Sequence, residues 1–126
     1  MSKEVLKIIG DAMKTLGIPY AFGVYNKKPL PTMYFVGEYT EIQGFTEDGL
    51  QEATVTLTGY SRGSCIELFD AREEIERHFS RYGLTTITPS GSGVAIMYAN
   101  TLVIPTGDAE FKRIQVNLQV KEWRVE

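Results

Sequence analysis

Two stretches of this chain alternate between apolar and polar side chains over most of their length, and this pattern restricts the fold more than any other feature. The segment 52–60 reads EATVTLTGY, and the segment 111–120 reads FKRIQVNLQV. Successive side chains of a β-strand point to opposite faces of its sheet, so a period of two predicts a half-buried strand. We therefore expect a sheet with one covered face. The side chains expected on that face are Ala53, Val55, Leu57, Ile114, Val116, Leu118 and Val120.

The first 16 residues carry a helical pattern. Apolar side chains recur there every three or four positions behind Ser2, a candidate N-cap. Gly17 follows at the position where a left-handed residue often closes a helix, and Pro19 prevents its continuation. These signals predict a helix over residues 2–16.

A second helix is expected from Ser64 to about Tyr82. Ser64 and Glu67 form the S-x-x-E pattern of a capping box, and Gly83 is expected to end the helix. Its buried stripe is expected to consist of Leu68, Ala71 or Arg72, Ile75, Phe79 and Tyr82.

Two further strands complete the expected sheet. Residues 32–40 are rich in aromatic and β-branched side chains, and residues 94–104 also read as a strand. A short strand at 20–25 is a weaker signal, because prolines surround it. Turn residues join the four long strands into two hairpins. The order helix, hairpin, helix, hairpin predicts an α+β fold, with a mainly antiparallel sheet and two helices packed on one side.

The bulk properties indicate one domain over residues 1–126, since domains cluster at roughly 100–150 residues. The single Cys65 cannot form an internal disulfide, which fits a reducing compartment. The chain has no apolar run that would span a membrane, and its first residues do not read as a signal peptide. The net charge of −3 disfavours specific binding to a phosphate backbone.

The candidate catalytic residues are weak. Cys65 opens the second helix, but His78, the single histidine, lies 13 residues further along it, about 20 Å at the helical rise. The acids of that helix have structural explanations, such as an expected pair between Glu73 and Arg77. Gly91 and Gly93 precede a strand-like run and not the helix that a phosphate loop requires. We expect no enzymatic activity, no cofactor and no metal ion.

Three features favour a protein partner. The first is the threonine face of Thr54, Thr56 and Thr58, which suits either solvent or a neighbouring subunit. The second is Trp123: either a bulge resets the register of the last strand, or Trp123 lies exposed as a candidate interface anchor. The third is the acidic segment 41–52, long enough to become ordered on binding. Its acids are Glu41, Glu47, Asp48 and Glu52.

The order of these segments resembles the tail-completion, or tail-terminator, proteins of long-tailed bacteriophages and of prophages in Gram-positive bacteria. The resemblance rests on the strand PTMYFVGEY (31–39) after a helix that ends LGIPY (16–20). It also rests on a strand that ends TGYS (58–61) and a helix that contains ELFDAREEI (67–75). It covers most of the chain through loose, structural motifs. The strand Val94–Ile104 with its glycine-rich lead-in departs from the family pattern.

The resemblance implies an α/β sandwich that caps the growing tail tube and helps to join it to the head. Such proteins work as a ring, typically of six subunits, in the virion tail or neck after assembly in the host cytoplasm. The implied partners are copies of the chain, the tail-tube protein and the head–tail connector, and DNA passes through without specific binding. Glu41, Glu47, Asp48 and Glu52 would face the pore or tube, and Trp123 and the threonine face would join subunits.

Two alternatives remain at this stage. One is another joint piece of the virion, a head-completion or connector protein. The other is a small ligand-binding domain or enzyme, which would need a pocket between the second helix and the sheet, near Tyr20, Tyr60 and Arg62.

Overall fold

The structure, a computed structural model, describes residues 3–41, 49–80 and 83–124. These residues contain two helices and one six-stranded sheet. The helices are α1 (Lys3–Thr15) and α2 (Cys65–Phe79). The strands are β1 (Tyr20–Phe22), β2 (Met33–Glu41), β3 (Leu50–Ser61), β4 (Leu84–Ile87), β5 (Gly93–Ile104) and β6 (Lys112–Trp123).

The sheet has the order β1-β2-β3-β6-β5-β4, and only the pair β1 and β2 is parallel. The prediction of an α+β fold with a mainly antiparallel sheet is confirmed. The two predicted hairpins are the pairs β2/β3 and β5/β6, and the long pairing of β3 with β6 joins them. The description as two hairpins is confirmed in part, because the sheet also contains β1, for which the sequence carries a weaker signal, and β4, which was not predicted.

One face of the sheet carries the core, and both helices pack on it. The alternation of β3 and β6 is confirmed, since the predicted apolar side chains of both strands are buried. From the helices, Val5, Ile9, Met13, Leu68, Ile75 and Phe79 are buried in the same cluster. The opposite face, here called the outer face, carries the alternate side chains, including Thr54, Thr56 and Thr58, which are half-buried.

The end of α1 is as expected. Gly17 has a φ of 72°, and its N–H donates to the Lys14 carbonyl while the Ile18 N–H donates to the Met13 carbonyl. These two bonds form a Schellman motif, in which the left-handed residue closes the helix. The candidate N-cap Ser2 lies outside the described residues.

The boundaries of α2 are confirmed in part. Ser64 is the N-cap, and its hydroxyl accepts from the Ile66 N–H, but the Glu67 carboxylate accepts from the Ser61 hydroxyl and so does not complete a capping box. The helix ends at Phe79, earlier than predicted, because Ser80 adopts a φ of 50° and its N–H donates to the Glu76 carbonyl. Gly83 therefore does not end the helix, and Tyr82 lies outside the described residues.

Gly59 allows α2 to approach the sheet closely. A Cβ atom at this position would lie 2.6 Å from the ring of Phe35 on β2 and 3.0 Å from a methyl group of Leu68 on α2. Phe35 and Leu68 are fully buried, so neither side chain has room to retreat. The missing side chain is thus a condition of the packing between β2, β3 and α2.

Candidate interaction surface

The outer face of the sheet carries a row of hydrogen-bonded polar side chains. Thr56, Asn117 and Asn100 lie directly opposite one another on β3, β6 and β5. The Thr56 hydroxyl donates to Asn117 Oδ1 over 3.0 Å, and Asn117 Nδ2 donates to Asn100 Oδ1 over 2.8 Å. Gln115 Nε2 also donates to Asn117 Oδ1, over 3.3 Å. These bonds fix the orientation of the polar side chains, so this part of the outer face is an ordered polar surface.

Trp123 lies at one end of this face, within an apolar row. Leu50, Trp123, Gly93 and Ile87 are aligned across β3, β6, β5 and β4. Gly93 carries no side chain, and the indole lies beside it, 3.9 Å from where a Cβ atom would be. Trp123 is 39% exposed and Ile87 is 76% exposed. The row exposes two large apolar side chains, which is typical of an interface anchor.

The register of β6 decides between the two alternatives for Trp123. Its pairing with β3 runs without a bulge from Lys112 to Trp123. Trp123 therefore lies exposed, and Glu122 points to the helix-covered face, where it is 0% exposed beside the buried Gln51. The bulge that the structure does contain lies in β5, between Tyr98 and Asn100.

An aromatic row crosses the other end of the outer face. The rings of Tyr25, Tyr34, Tyr60 and Phe111 follow one another with centroid distances of 5.0, 5.3 and 5.7 Å. Stacked aromatic pairs contribute stability beyond their buried area. This row was not expected from the sequence. The pairing of β2 with β3, read from the two predicted strands, would have brought Tyr34 and Tyr60 together.

Of the four acids in the segment 41–52, the structure describes Glu41 and Glu52, and both lie in strands. Glu41 is the last residue of β2, whereas Glu52 lies within β3. The Glu52 carboxylate lies 3.6 Å from the Lys121 ammonium group on β6, so its charge is balanced in the sheet. Glu52 is therefore a strand residue, as the alternating segment 52–60 predicts. Glu47 and Asp48 lie outside the described residues.

A groove of about 580 Å³ lies between the end of α1, the start of β2 and α2. Its lining combines acidic and apolar side chains: Glu67, Asp70, Glu73, Glu74, Ile18 and Met33. This groove is not the pocket that the ligand-binding alternative required, because Tyr20, Tyr60 and Arg62 do not line it.

Tyr20 and Tyr60 lie on opposite faces of the sheet. Tyr20 is level with Phe35 and lies against Gly37 on the helix-covered side, whereas Tyr60 is level with Tyr34 on the outer face. Burial raises the pKa of Tyr20 to about 12. The predicted constellation of Tyr20, Tyr60 and Arg62 is thus not brought together.

The helix residues considered for catalysis have structural partners or lie apart. Cys65 and His78 lie at the two ends of α2, and the His78 ring packs edge-on against Phe79. Arg77 pairs with Glu74 over 2.9 Å and not with Glu73 as predicted. Arg72 bonds Glu76 over 2.7 Å and the Tyr98 hydroxyl over 3.1 Å. Among the described residues, no group of three His, Cys, Asp or Glu side chains could hold a metal ion.

A scan against protein-family models finds no match to this chain, and a search of curated proteins finds none either. Within residues 3–41, 49–80 and 83–124, no helix is both long and apolar enough to cross a membrane.

Proposed function

We propose that this chain is a structural protein of a phage or prophage virion, which caps the tail tube as an oligomeric ring and helps to join tail to head. The proposal combines the sequence resemblance with the α+β fold. A tail-completion domain of the α/β sandwich type would use this arrangement, with helices on one face and an exposed sheet on the other. The ring would be a hexamer, located in the virion tail or neck.

The apolar row at the end of the outer face supports the proposal most directly. Leu50, Trp123 and Ile87 form an apolar row at one end of the outer face, six strand positions, about 20 Å, from the hydrogen-bonded pair of Thr56 and Asn117. A surface of this kind suits contact with another protein, because protein interfaces bury large apolar side chains and surround them with polar groups. Trp123 and the threonine face would contact a neighbouring subunit in the ring.

The acidic residues have a separate role in the proposal. Glu41 is the last residue of β2 and precedes Glu47 and Asp48 in the chain. These three acids would face the pore or the tube, where negative charge repels DNA and lets it pass without binding. Glu52 is paired with Lys121, so it would add little to the negative charge that repels DNA.

Native mass spectrometry of the purified protein over a wide concentration range tests the ring. We expect a closed species, with six subunits as the leading expectation, and its population should grow with concentration. Trp123→Ala should shift the equilibrium towards monomer, whereas Ile66→Ala, which removes an exposed apolar side chain from α2 instead, serves as the matched control. A ring that forms equally well without the indole would contradict the role of Trp123.

Binding to purified tail tubes separates this function from the connector alternative. A tail terminator should co-sediment with tubes, and a connector should co-sediment with portal-bearing heads instead. Reversing the charges of Glu41, Glu47 and Asp48 should reduce the yield of infectious particles. Unchanged assembly of infectious particles would refute the placement of these acids at the pore.

A further inference from the structure

Two strand segments of the sheet have a partner strand on one side only. β1 pairs with Phe35–Gly37 of β2, so Glu38–Thr40 pair with β3 alone among the described strands. β4 pairs with Gly93–Ile96 of β5, so the later segment, Asn100–Ile104, pairs with β6 alone among them. We call these segments the open edge of β2 and the open edge of β5. Open strand edges offer backbone hydrogen-bonding groups to another strand.

Each open edge carries an exposed apolar cluster on the helix-covered face. At the open edge of β2, Tyr39 stacks on Phe22 with a centroid distance of 6.2 Å, and both rings are exposed. At the open edge of β5, Val103 is 61% exposed. Val103 lies opposite Ile114 and Tyr39 lies opposite Val55, which places both side chains on the same face of the sheet.

The exposed Phe69 of α2 extends the cluster at the open edge of β5. Cys65 lines a cavity of about 230 Å³ together with Val103, and Arg72 bonds the Tyr98 hydroxyl. Phe69 lies four residues after Cys65 and three before Arg72, and residues at these spacings share one helix face. Phe69 therefore lies along β5 between these two contacts and adds an aromatic surface beside the open edge.

The strand directions allow the two open edges to pair between copies. The order β2-β3-β6-β5 contains three antiparallel steps, so β5 runs opposite to β2. A second copy placed beside the first in the same orientation would therefore present its β2 antiparallel to β5. Matching the two apolar clusters sets Tyr39 opposite Val103, which also sets Glu38 opposite Ile104 and Thr40 opposite Leu102.

The ends of the strands agree with this register. After Ile104 the chain turns away at Pro105, and before Glu38 the edge of β2 is already occupied by β1. The strand β5 of one copy would thus stop at the last residue of β1 in its neighbour, where Phe22 lies beside Gly37. Within one chain Glu38 is level with Asn100, because Thr56 and Asn117 lie between them in the same row of the sheet. Setting Glu38 of the second copy opposite Ile104 therefore shifts that copy by four residues along β5, about 13 Å.

The charges on the outer face agree as well. Arg113 lies opposite Ile104, its Nε is buried without a hydrogen-bond partner, and it has no ion pair among the described residues. In this register Glu38 of the neighbour would lie one strand beyond Ile104, about 10 Å from the Arg113 backbone, within reach of the two long side chains. The open edge of β5 itself carries no charged side chain, so it would not repel Glu38 of the neighbour.

We propose that copies of this chain join head to tail by pairing the open edge of β5 in one copy with the open edge of β2 in the next. A heterologous contact of this kind closes into a ring or continues as a filament. Staggered strand pairing is also what closes a sheet into a barrel. This contact lies at the strand edges and is separate from the one proposed for Trp123 on the outer face. It rests on the proposed function only in that both require self-association. A two-fold pairing of β5 with β5 would leave Phe22 and Tyr39 uncovered.

Disulfide trapping between two single-cysteine proteins tests the contact. Tyr39→Cys and Val103→Cys are each made on a Cys65→Ser background, purified, and mixed in equal amounts with diamide as the oxidant. We expect covalent dimers in the mixture and little product from either protein alone. The combination of Tyr39→Cys with Lys7→Cys gives the background from random collisions, since the Lys7 side chain is 77% exposed on α1, outside both open edges.

Two results of the mixing experiment would contradict the contact. Product from Val103→Cys alone would show two-fold pairing of β5, and a mixture that gives no more product than the Lys7 control would overturn the register. As an independent measurement, Val103→Lys and Tyr39→Glu should each weaken association in sedimentation velocity at least tenfold, and the double variant should recover most of it. Cross-links without tube binding would support this contact and refute the tail function. Tube capping without cross-links would support the tail function and refute this contact.

Discussion

The close packing at Gly59 gives the sharpest test of the fold. In Gly59→Ala the new methyl group would lie 2.6 Å from two ring carbons of Phe35 and 3.0 Å from Leu68 Cδ2, well inside van der Waals contact. Overpacking of a buried site by one carbon costs about 1–3 kcal/mol. For a chain of 126 residues, that loss lowers Tm by roughly 3–5 °C per kcal/mol.

Gly10→Ala is the matched control, because it adds the same methyl group where there is room. Gly10 lies inside α1, and its new Cβ would lie 3.9 Å from Tyr20 Cε2, an ordinary contact. Alanine is favoured over glycine in a helix interior by about 0.5–1 kcal/mol. The two substitutions should therefore change stability in opposite directions.

Urea denaturation of the wild type and both variants measures the effect. Combining Gly59→Ala with Phe35→Leu should recover about 1 kcal/mol relative to the sum of the single changes, because the smaller side chain relieves the clash. If Gly59→Ala is as stable as the wild type, or if Phe35→Leu gives no recovery, the described packing of β2, β3 and α2 is wrong.

Three further predictions concern single groups. Ser64→Ala should cost about 1 kcal/mol in urea denaturation, since it removes the acceptor for the Ile66 N–H at the start of α2; an unchanged midpoint would contradict the cap. Burial raises the pKa of Tyr20 to about 12. The folded state therefore holds this proton more tightly than the unfolded chain, and the free energy of unfolding should fall as pH rises above about 10. Tyr20→Phe should lose less stability between pH 8 and 11, and an equal loss in both proteins would contradict the burial. Glu52→Gln should cost less than about 1 kcal/mol, and 1 M NaCl should abolish the difference, because the pair with Lys121 is partly exposed.

The alternation in β3 and β6 could be read from the sequence because one face of these strands is buried and the other is not. A one-residue slip would expose Val55 and Val116, so the face that each side chain occupies follows from the pattern alone. The same alternation, continued to the end of β6, correctly offered an exposed Trp123 as one of two alternatives.

The short edge strands and the helix end could not be predicted in the same way. The strand β1 has three residues and β4 has four, too few for a periodic pattern. The end of α2 depends on Ser80 in the left-handed region, a conformation that non-glycine residues rarely adopt. The sequence offered Gly83 as the more favourable residue for that role.

The partner of Glu52 could not be predicted because it is set by pairing between distant strands. Lys121 lies 69 positions further along the chain and reaches Glu52 only because β3 and β6 are neighbours in the sheet. The groups at the candidate interface depend on the strand order in the same way, since Leu50, Trp123 and Ile87 lie on three different strands.

We propose that the chain caps a tail tube, and the growth of tail tubes in its presence tests this proposal most directly. Purified protein is added to polymerising tail-tube protein from the genome that encodes it, and tube lengths and ends are recorded by negative-stain electron microscopy. We expect shorter tubes, each with a ring at one end, and Trp123→Ala should weaken the effect. Tubes of unchanged length with bare ends would contradict the claim.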